Sequence, residues 1–242
     1  MDSIGLPSFE LLTTIKYDHQ QKTIPLLKYH LNRLKKTHEE LSIKLPNSWC
    51  SKEDACSSEI IENEIKSKAN GNLSLRIRLT IGPNHHIQIV SSPLPQLPIS
   101  HDGTLPIIVI DNQSTKYNNN PFLLYKTTNR TIYDNIRRRH NINSNNDNIL
   151  KPFDVLMYNE FNQITETTIS NIGLRTKGSI NEPFITPKSS CGLLPGIQRD
   201  ILLKDGVIIE GIITLHQLVS EDWEMICFNA LRGLYHVQLL IK

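Results

Sequence analysis

This sequence has few of the features that define membrane and secreted proteins. Its 242 residues contain no apolar run near the roughly 18 residues of a transmembrane helix. The start, Met1-Asp2-Ser3-Ile4, has neither the basic nor the apolar region of a signal peptide. Its four cysteines include no CxxC pair, so we expect reduced thiols rather than a disulfide framework. The sequence therefore predicts a cytoplasmic protein with no membrane partner.

An excess of charge of either sign is also missing. The 26 basic and 24 acidic residues leave a formal charge of +2, so no net field attracts nucleic acid or an anionic surface. The run Arg137-Arg138-Arg139-His140 could touch phosphates but is more typical of a solvated helix end. We therefore expect no nucleic-acid partner.

Familiar catalytic motifs are absent as well. The sequence has no HExxH, GxSxG, Walker or GxGxxG motif, which argues against the common zinc-protease, hydrolase and nucleotide-binding sites. His85-His86 is expected on a surface strand rather than at a metal. No metal site is predicted.

Residue patterns predict strands mixed with a few helices. In the first half, strands are expected over 9–17, 73–81, 87–90 and 107–110, and a helix over 25–45, with a polar stretch of little β character over 47–72. The proline-rich segment 91–106 is interpreted as an interdomain connection. In the second half we expect strands over 122–126, 154–158, 163–169, 171–175, 184–186, 207–210, 223–228 and 235–241, helices around Tyr133 and over 197–203 and 215–218, and a solvated asparagine-rich loop over 141–148. This mixture indicates an α+β fold.

Three segments could carry chemistry. Lys126 ends an apolar stretch, and burial there would favour the neutral amine needed for imine formation or proton transfer, although an exposed strand-end lysine is the ordinary alternative. Glu166 shares a strand face with Ile164 and Thr168, and a buried carboxylate needs a cation. Residues 191–200 place two glycines and a proline before a helix, whose first amides could cradle a phosphate, although many loops enter helices in this way.

Together these parts describe a site for pyridoxal phosphate. The lysine would bond the cofactor aldehyde, the carboxylate would pair with the protonated pyridine nitrogen, and the helix start would hold the phosphate. No single part is specific to one protein family, but their order along the chain narrows the choice of family.

In residue identity and in order along the chain, five motifs resemble those of the fold-type IV (class IV aminotransferase) family of pyridoxal-phosphate enzymes. The motifs are Tyr29-His30-Leu31-Asn32-Arg33-Leu34, Lys126-Thr127-Thr128-Asn129-Arg130, Glu166-Thr167-Thr168-Ile169-Ser170-Asn171-Ile172, Gly192-Leu193-Leu194-Pro195-Gly196-Ile197-Gln198-Arg199 and Phe228-Asn229-Ala230-Leu231-Arg232-Gly233. The similarity extends from about Phe9 to Val237 and is weakest over 46–72 and 91–118.

The resemblance implies a role for each matched residue. Lys126 would be the catalytic lysine that holds the cofactor, and Glu166 would pair with its pyridine nitrogen. The phosphate would be held by Arg33, the Ile197 and Gln198 amides, and Asn229. Many aminotransferases of the family place a tyrosine five residues after the lysine to contact the pyridine hydroxyl. Here that position is Thr131, with Tyr133 two residues further on.

The resemblance also implies a function and an architecture. Asn129-Arg130 after the lysine is nearer to the lyase branch, so the preferred activity is that of a 4-amino-4-deoxychorismate lyase, which forms 4-aminobenzoate and pyruvate for folate biosynthesis. A branched-chain or D-amino-acid aminotransferase, or a non-catalytic binding protein that retains the fold, are the alternatives. We expect an N-terminal α/β domain over 1–115, a barrel-like domain over 116–242 with the cofactor between them, a small-molecule substrate and a homodimer.

Overall fold

The computed structural model describes residues 8–69, 71–97, 103–117, 120–142 and 151–241. The chain forms two compact units. The first consists of Met1–Pro95 and Tyr125–Arg130, and the second of Gln96–Leu124 and Thr131–Lys242. The division into domains at residue 115 stays a prediction, while the lysine segment belongs to the N-terminal unit.

The N-terminal unit is a small antiparallel sheet with two helices. Its elements are β1 (Leu11–Tyr17), α1 (Leu27–Lys44), α2 (Ser58–Lys68), β2 (Leu75–Ile81) and β3 (Ile87–Pro93). The strands pair in the order β1-β2-β3, with Ile15 opposite Ile77. Period-two alternation buries one face of β1 and β2, and Leu31, Leu34 and Leu41 of α1 recur at helical spacing and are buried. The predicted strands and first helix are confirmed.

Residues 47–72, the polar stretch for which the sequence predicted little β character, contain helix α2, which the sequence did not predict. The segment Ser58–Lys68 is helical, with Ile61 and Ile65 buried four residues apart on one face. These two are the buried positions of α2, and its third isoleucine, Ile60, is exposed, so the apolar stripe is too narrow to stand out in the sequence.

The C-terminal unit is built on one eight-stranded sheet. Its elements are β4 (Ile107–Ile110), α3 (Pro121–Leu124), α4 (Thr131–Arg139), β5 (Asp154–Tyr158), β6 (Ile164–Thr167), β7 (Asn171–Thr176), β8 (Phe184–Pro187), α5 (Ile197–Lys204), β9 (Ile208–Gly211), α6 (Leu215–Ser220), β10 (Trp223–Asn229) and β11 (Gly233–Leu240). The strand order is β6-β5-β4-β11-β10-β7-β8-β9.

This sheet curls so that its two edges meet. Ile164, at the start of edge strand β6, donates its N–H to the carbonyl of Ile213, just beyond edge strand β9, at 2.8 Å. Gln163 and Thr214 form a bridge beside this bond. These contacts join the two edges at this point, and the sheet surrounds an apolar core that includes Ile108, Leu156 and Ile172. The α+β fold expected from the sequence is therefore observed, with a barrel-like sheet.

Two local expectations were wrong. The apolar stretch expected as a strand over 122–126 contains the short helix α3, which begins where Asn120 Oδ1 accepts the Phe122 N–H at 3.0 Å. The basic run at the end of α4 is not simply solvated, because Arg137 pairs with buried Asp154 and Arg139 pairs with buried Asp111. The asparagine-rich loop predicted over 141–148 lies largely outside the described residues.

The cysteines bear on the expectation of reduced thiols, and the helices bear on the expectation that no segment crosses a membrane. All four cysteines are free, and burial raises the pKa of the Cys50 thiol to about 12. Within the described ranges, each helix is too short or too polar to cross a bilayer.

Candidate active site

Glu166, the carboxylate of the predicted site, is deeply buried. It lies on β6, whose four residues are all buried, and is 3% exposed. Its Oε1 accepts hydrogen bonds from the Tyr133 hydroxyl at 2.8 Å and the Leu194 N–H at 3.1 Å. Its Oε2 accepts a longer bond, 3.3 Å, from Asn171 Nδ2. All three are neutral donors, so they stabilise the ionised carboxylate without neutralising it.

Asn171 connects this carboxylate to the glycine-rich turn that precedes α5. Its Nδ2 also donates to the Leu194 carbonyl at 2.8 Å. Its Oδ1 lies where a side chain on residue 196 would begin, since a Cβ built on Gly196 would be 2.2 Å away. Gly192 has φ +85° and packs on the Tyr117 ring, so this position also requires glycine. The sequence identified both glycines as part of the turn, and the structure shows why a side chain would not fit at either position.

The start of α5 presents backbone donors. Gly196 precedes the helix without a side-chain cap, and Ile197 and Gln198 supply the first two helical N–H groups. The first amides of a helix have no intrahelical acceptor, and the helix dipole favours an anion there. Buried Arg199 donates to the Pro187 carbonyl at 2.8 Å and pairs with Glu210 at 2.5 Å, which ties α5 to the sheet. This pairing lowers the pKa of the Glu210 carboxyl.

Asn229 lies at the end of β10 and organises the turn that follows. Its Oδ1 accepts the N–H groups of Leu231 and Arg232 at 3.0 and 2.9 Å. Its Nδ2 donates to Ser170 Oγ at 2.8 Å and more weakly to the Ile169 carbonyl at 3.3 Å. The amide side chain is thus engaged within the unit, and its part in binding a phosphate stays a prediction.

A buried polar network that the sequence did not reveal supports the turn after Glu166. Arg137 Nη1 donates to Asp154 Oδ1 at 3.2 Å and to Thr168 Oγ1 at 3.0 Å, and the Thr168 hydroxyl also bonds Asp154. The Ile169 N–H donates to Asp154 Oδ2 at 3.3 Å. Asp154 is 1% exposed, so Arg137 supplies the opposite charge that a buried carboxylate needs.

In the N-terminal unit, Lys126 is half-buried and fixed beside β1 by its backbone. The Leu12 N–H donates to the Lys126 carbonyl at 3.0 Å, and the Thr128 N–H donates to the Glu10 carbonyl at 2.9 Å. Thr128 Oγ1 accepts the Glu10 N–H at 2.8 Å. The lysine segment therefore adds to β1 as an extended stretch, and its position is set by main-chain bonds on both sides.

Arg33 approaches the same strand from α1. Its Nη2 donates to Thr13 Oγ1 at 2.8 Å, and that hydroxyl is 2.7 Å from His30 Nδ1. His30 is fully buried, and burial, followed by the charges of Arg33 and Lys126, holds the pKa of its imidazole well below the ordinary value of 6.5. The Thr13 hydroxyl therefore accepts from Arg33 and also shares a hydrogen bond with the His30 imidazole.

Each unit thus brings together part of the predicted set. Arg33 and Lys126 lie around β1 in the N-terminal unit. Glu166 and the turn before Ile197 lie together in the C-terminal unit. Tyr133, whose contact with the cofactor the sequence leaves open, donates to Glu166. The spacing of buried Tyr133 and Ile136 on α4 indicates an inward position but not the carboxylate it meets.

These groups match the chemistry of pyridoxal phosphate. The buried Glu166 carboxylate, which accepts from three neutral donors, suits a protonated pyridine nitrogen. The α5 amides suit a phosphate. Taken by itself, the N-terminal unit offers an arginine, which suits a phosphate, and a half-buried lysine, which suits an aldehyde. The residues present therefore fit the group.

Comparison with known proteins identifies the family. The chain belongs to the family described as amino-transferase class IV, whose model matches residues 10–240. This family is pyridoxal-phosphate dependent and acts on small molecules.

Individual relatives divide between two activities. The protein named "Putative aminodeoxychorismate lyase" of Schizosaccharomyces pombe is 27% identical over 235 residues, covering 96% of this chain and 90% of the relative. The "Aminodeoxychorismate lyase" of Saccharomyces cerevisiae is 25% identical over 198 residues, covering 70% of this chain and 53% of the relative. The crystal structure titled "Putative amino-acid aminotransferase" from Mesorhizobium loti has a TM-score of 0.78 and 26% identity, covering 96% of this chain and all of that one.

Proposed function

We propose that this protein is a pyridoxal-phosphate-dependent 4-amino-4-deoxychorismate lyase that forms 4-aminobenzoate and pyruvate for folate biosynthesis in the cytoplasm. The observation that carries the cofactor assignment is the buried Glu166 carboxylate, which receives hydrogen bonds from three neutral donors. The two yeast relatives named as lyases support the choice of reaction. The Asn129-Arg130 pair after the lysine supports it from the sequence.

In this proposal each binding residue has a separate task. Lys126 holds the aldehyde carbon of the cofactor, and Glu166 holds the proton on its pyridine nitrogen. Arg33, the Ile197 and Gln198 amides and Asn229 bind the phosphate. When bound, the cofactor supplies an electron sink for the bond that breaks next to the substrate amine.

Lys126 also moves the proton in the proposed reaction. Its Nζ would remove the hydrogen from the ring carbon that bears the substrate amine. Loss of this proton and of the enolpyruvyl group makes the ring aromatic, which drives the elimination. Enolpyruvate takes up a proton to become pyruvate, so the products have the atoms of the substrate and no redox partner is needed.

A second candidate, an amino-acid aminotransferase, rests on the structural similarity to the Mesorhizobium loti protein. A transaminase leaves the amino group on its cofactor and requires a keto acid to remove it. A lyase returns to its starting state without an acceptor. Acceptor dependence therefore separates the two reactions on mechanism.

The test is to incubate purified holoenzyme with 4-amino-4-deoxychorismate, with and without 2-oxoglutarate. We expect equal amounts of pyruvate and 4-aminobenzoate in both cases. If the reaction requires 2-oxoglutarate, produces glutamate and gives no 4-aminobenzoate, the protein is an aminotransferase and the lyase assignment is wrong. Parallel reactions with branched-chain and D-amino acids identify the donor in that case. An absorbance spectrum without a bound-cofactor band would favour the non-catalytic binding protein.

We further propose that the active enzyme is a homodimer, as the family resemblance implies. Light scattering of the eluted protein measures this directly. A mass near twice 27.7 kDa is expected, and an active species at the monomer mass would overturn the proposal.

A further inference from the structure

The Tyr133 hydroxyl is aimed at the carboxylate of Glu166. Tyr133 lies on α4 and is 5% exposed, and its hydroxyl oxygen is 2.8 Å from Glu166 Oε1. The Leu123 carbonyl also lies near this hydroxyl, at 3.5 Å. A phenol has one proton to donate, and the shorter contact to the charged oxygen is the stronger hydrogen bond. The proton therefore lies toward Glu166.

Tyr133 differs in origin from Asn171 and Leu194, which also donate to this carboxylate. Asn171 and Leu194 belong to segments that already form the turn around Glu166. Tyr133 comes from a separate helix that packs on the sheet through a cluster of buried side chains, among them Ile136 and Val155. Its hydroxyl can be removed while the ring still fills the same space, so its electrostatic effect can be tested apart from its packing.

A donor at Oε1 has two physical consequences. It restrains rotation of the carboxylate, and it withdraws electron density from the oxygens, which weakens their affinity for a proton. A less basic Glu166 leaves a shared proton on a facing pyridine nitrogen. A more basic Glu166 draws that proton toward its own oxygen.

We propose that Tyr133 is a positioning residue that sets the direction and proton affinity of Glu166, so that the pyridine nitrogen of the cofactor stays protonated. This inference rests on the cofactor part of the proposed function and holds for a lyase or an aminotransferase. Tyr133 acts through Glu166 rather than on the substrate.

The experiment uses holoenzyme loaded with pyridoxal phosphate carrying ¹⁵N in its ring, because the ¹⁵N chemical shift reports the protonation of that nitrogen. In Tyr133→Phe the signal should move toward the value of neutral pyridine, with turnover reduced about tenfold, the effect of one charge-assisted hydrogen bond. Tyr117→Phe is the matched control. It removes an equally buried hydroxyl whose acceptor is Thr165 Oγ1, at 2.9 Å, and should leave the signal in place.

A second variant gives the opposite prediction without changing the shape of the site. With 3-fluorotyrosine at position 133, the more acidic phenol donates more strongly, so the ¹⁵N signal should move away from the neutral value. Signals that coincide for wild type and both position-133 variants would overturn the role of Tyr133. Absence of any bound ¹⁵N signal in wild type would instead refute the cofactor, so the two failures are distinguishable.

Discussion

Asn171 Oδ1 occupies the position from which a side chain on residue 196 would grow, only 2.2 Å from a Cβ built on Gly196. The same asparagine bonds Glu166 and the Leu194 carbonyl through its Nδ2. Asn171 therefore links Glu166, which is proposed to pair with the pyridine nitrogen, to the turn before α5, whose first amides are proposed to bind the phosphate.

Gly196→Ala should displace Asn171 and weaken cofactor binding. Overpacking of this kind typically costs about 1–3 kcal/mol, and we expect the affinity for pyridoxal phosphate to fall by about tenfold or more. Titration of the apoprotein with the cofactor measures it. Gly178→Ala is the control, since Gly178 has φ +91° but nothing within 4 Å of its added Cβ. It should lower stability while keeping cofactor affinity, and equal affinity in both variants would contradict the role of Gly196.

The hydrogen bond from Arg33 to Thr13 leads to a prediction specific for the phosphate. Thr13→Val removes the hydroxyl that holds the guanidinium, so affinity for pyridoxal phosphate should fall about tenfold. Affinity for pyridoxal, which lacks the phosphate, should be unchanged. Thr14→Val is the control on the neighbouring, half-buried position of β1. Equal losses for both ligands would show that Thr13 only stabilises the strand.

The sequence predicted the fold well where periodicity is strong and less well where it is weak. The leucines of α1 and the alternation of β1 and β2 left little ambiguity. The stretch 122–126 was predicted as a strand because a short apolar run has the same pattern in either structure, and Asn120 at its start decides for a helix. Helix α2 went unrecognised because only Ile61 and Ile65 of its residues are buried.

The candidate site was predictable in its residue types but not in its contacts. Lys126 and Glu166 were recognised from their motifs. The bond from Tyr133 to Glu166 spans 33 residues, and the pair of Arg137 with Asp154 spans 17. Such contacts depend on how α4 packs on the sheet, which no local pattern encodes.

His30 predicts how stability changes with pH. Its pKa is lower in the folded protein than the ordinary 6.5, so the unfolded chain binds the extra proton, and stability falls as pH drops below that value. The contribution of one such group approaches about 1.4 kcal/mol per pH unit within this window. Denaturant unfolding of wild type and His30→Gln between pH 7.5 and 5.5 measures it. We expect a shallower pH dependence in the variant, and identical slopes would contradict the assignment.

Glu166→Gln should separate binding from chemistry. The amide keeps the shape of the side chain but cannot balance a pyridinium charge, so some cofactor should remain bound while turnover falls about ten- to a hundredfold or more. Single-turnover kinetics place the loss in the chemical step. Glu160→Gln, an exposed carboxylate on the adjacent turn, should behave as wild type. Near wild-type turnover in Glu166→Gln would show that Glu166 is only a packed strand residue and does not balance the pyridinium charge.

Lys126 is the residue proposed to hold pyridoxal phosphate, and borohydride reduction followed by peptide mass spectrometry tests this role most directly. We expect the mass of the reduced cofactor on the peptide that contains Lys126. Lys126→Ala should lose the label, whereas Lys16→Arg, a change to a β1 lysine paired with Asp18, should keep it. A label on another lysine, or no label on protein saturated with cofactor, would contradict the account.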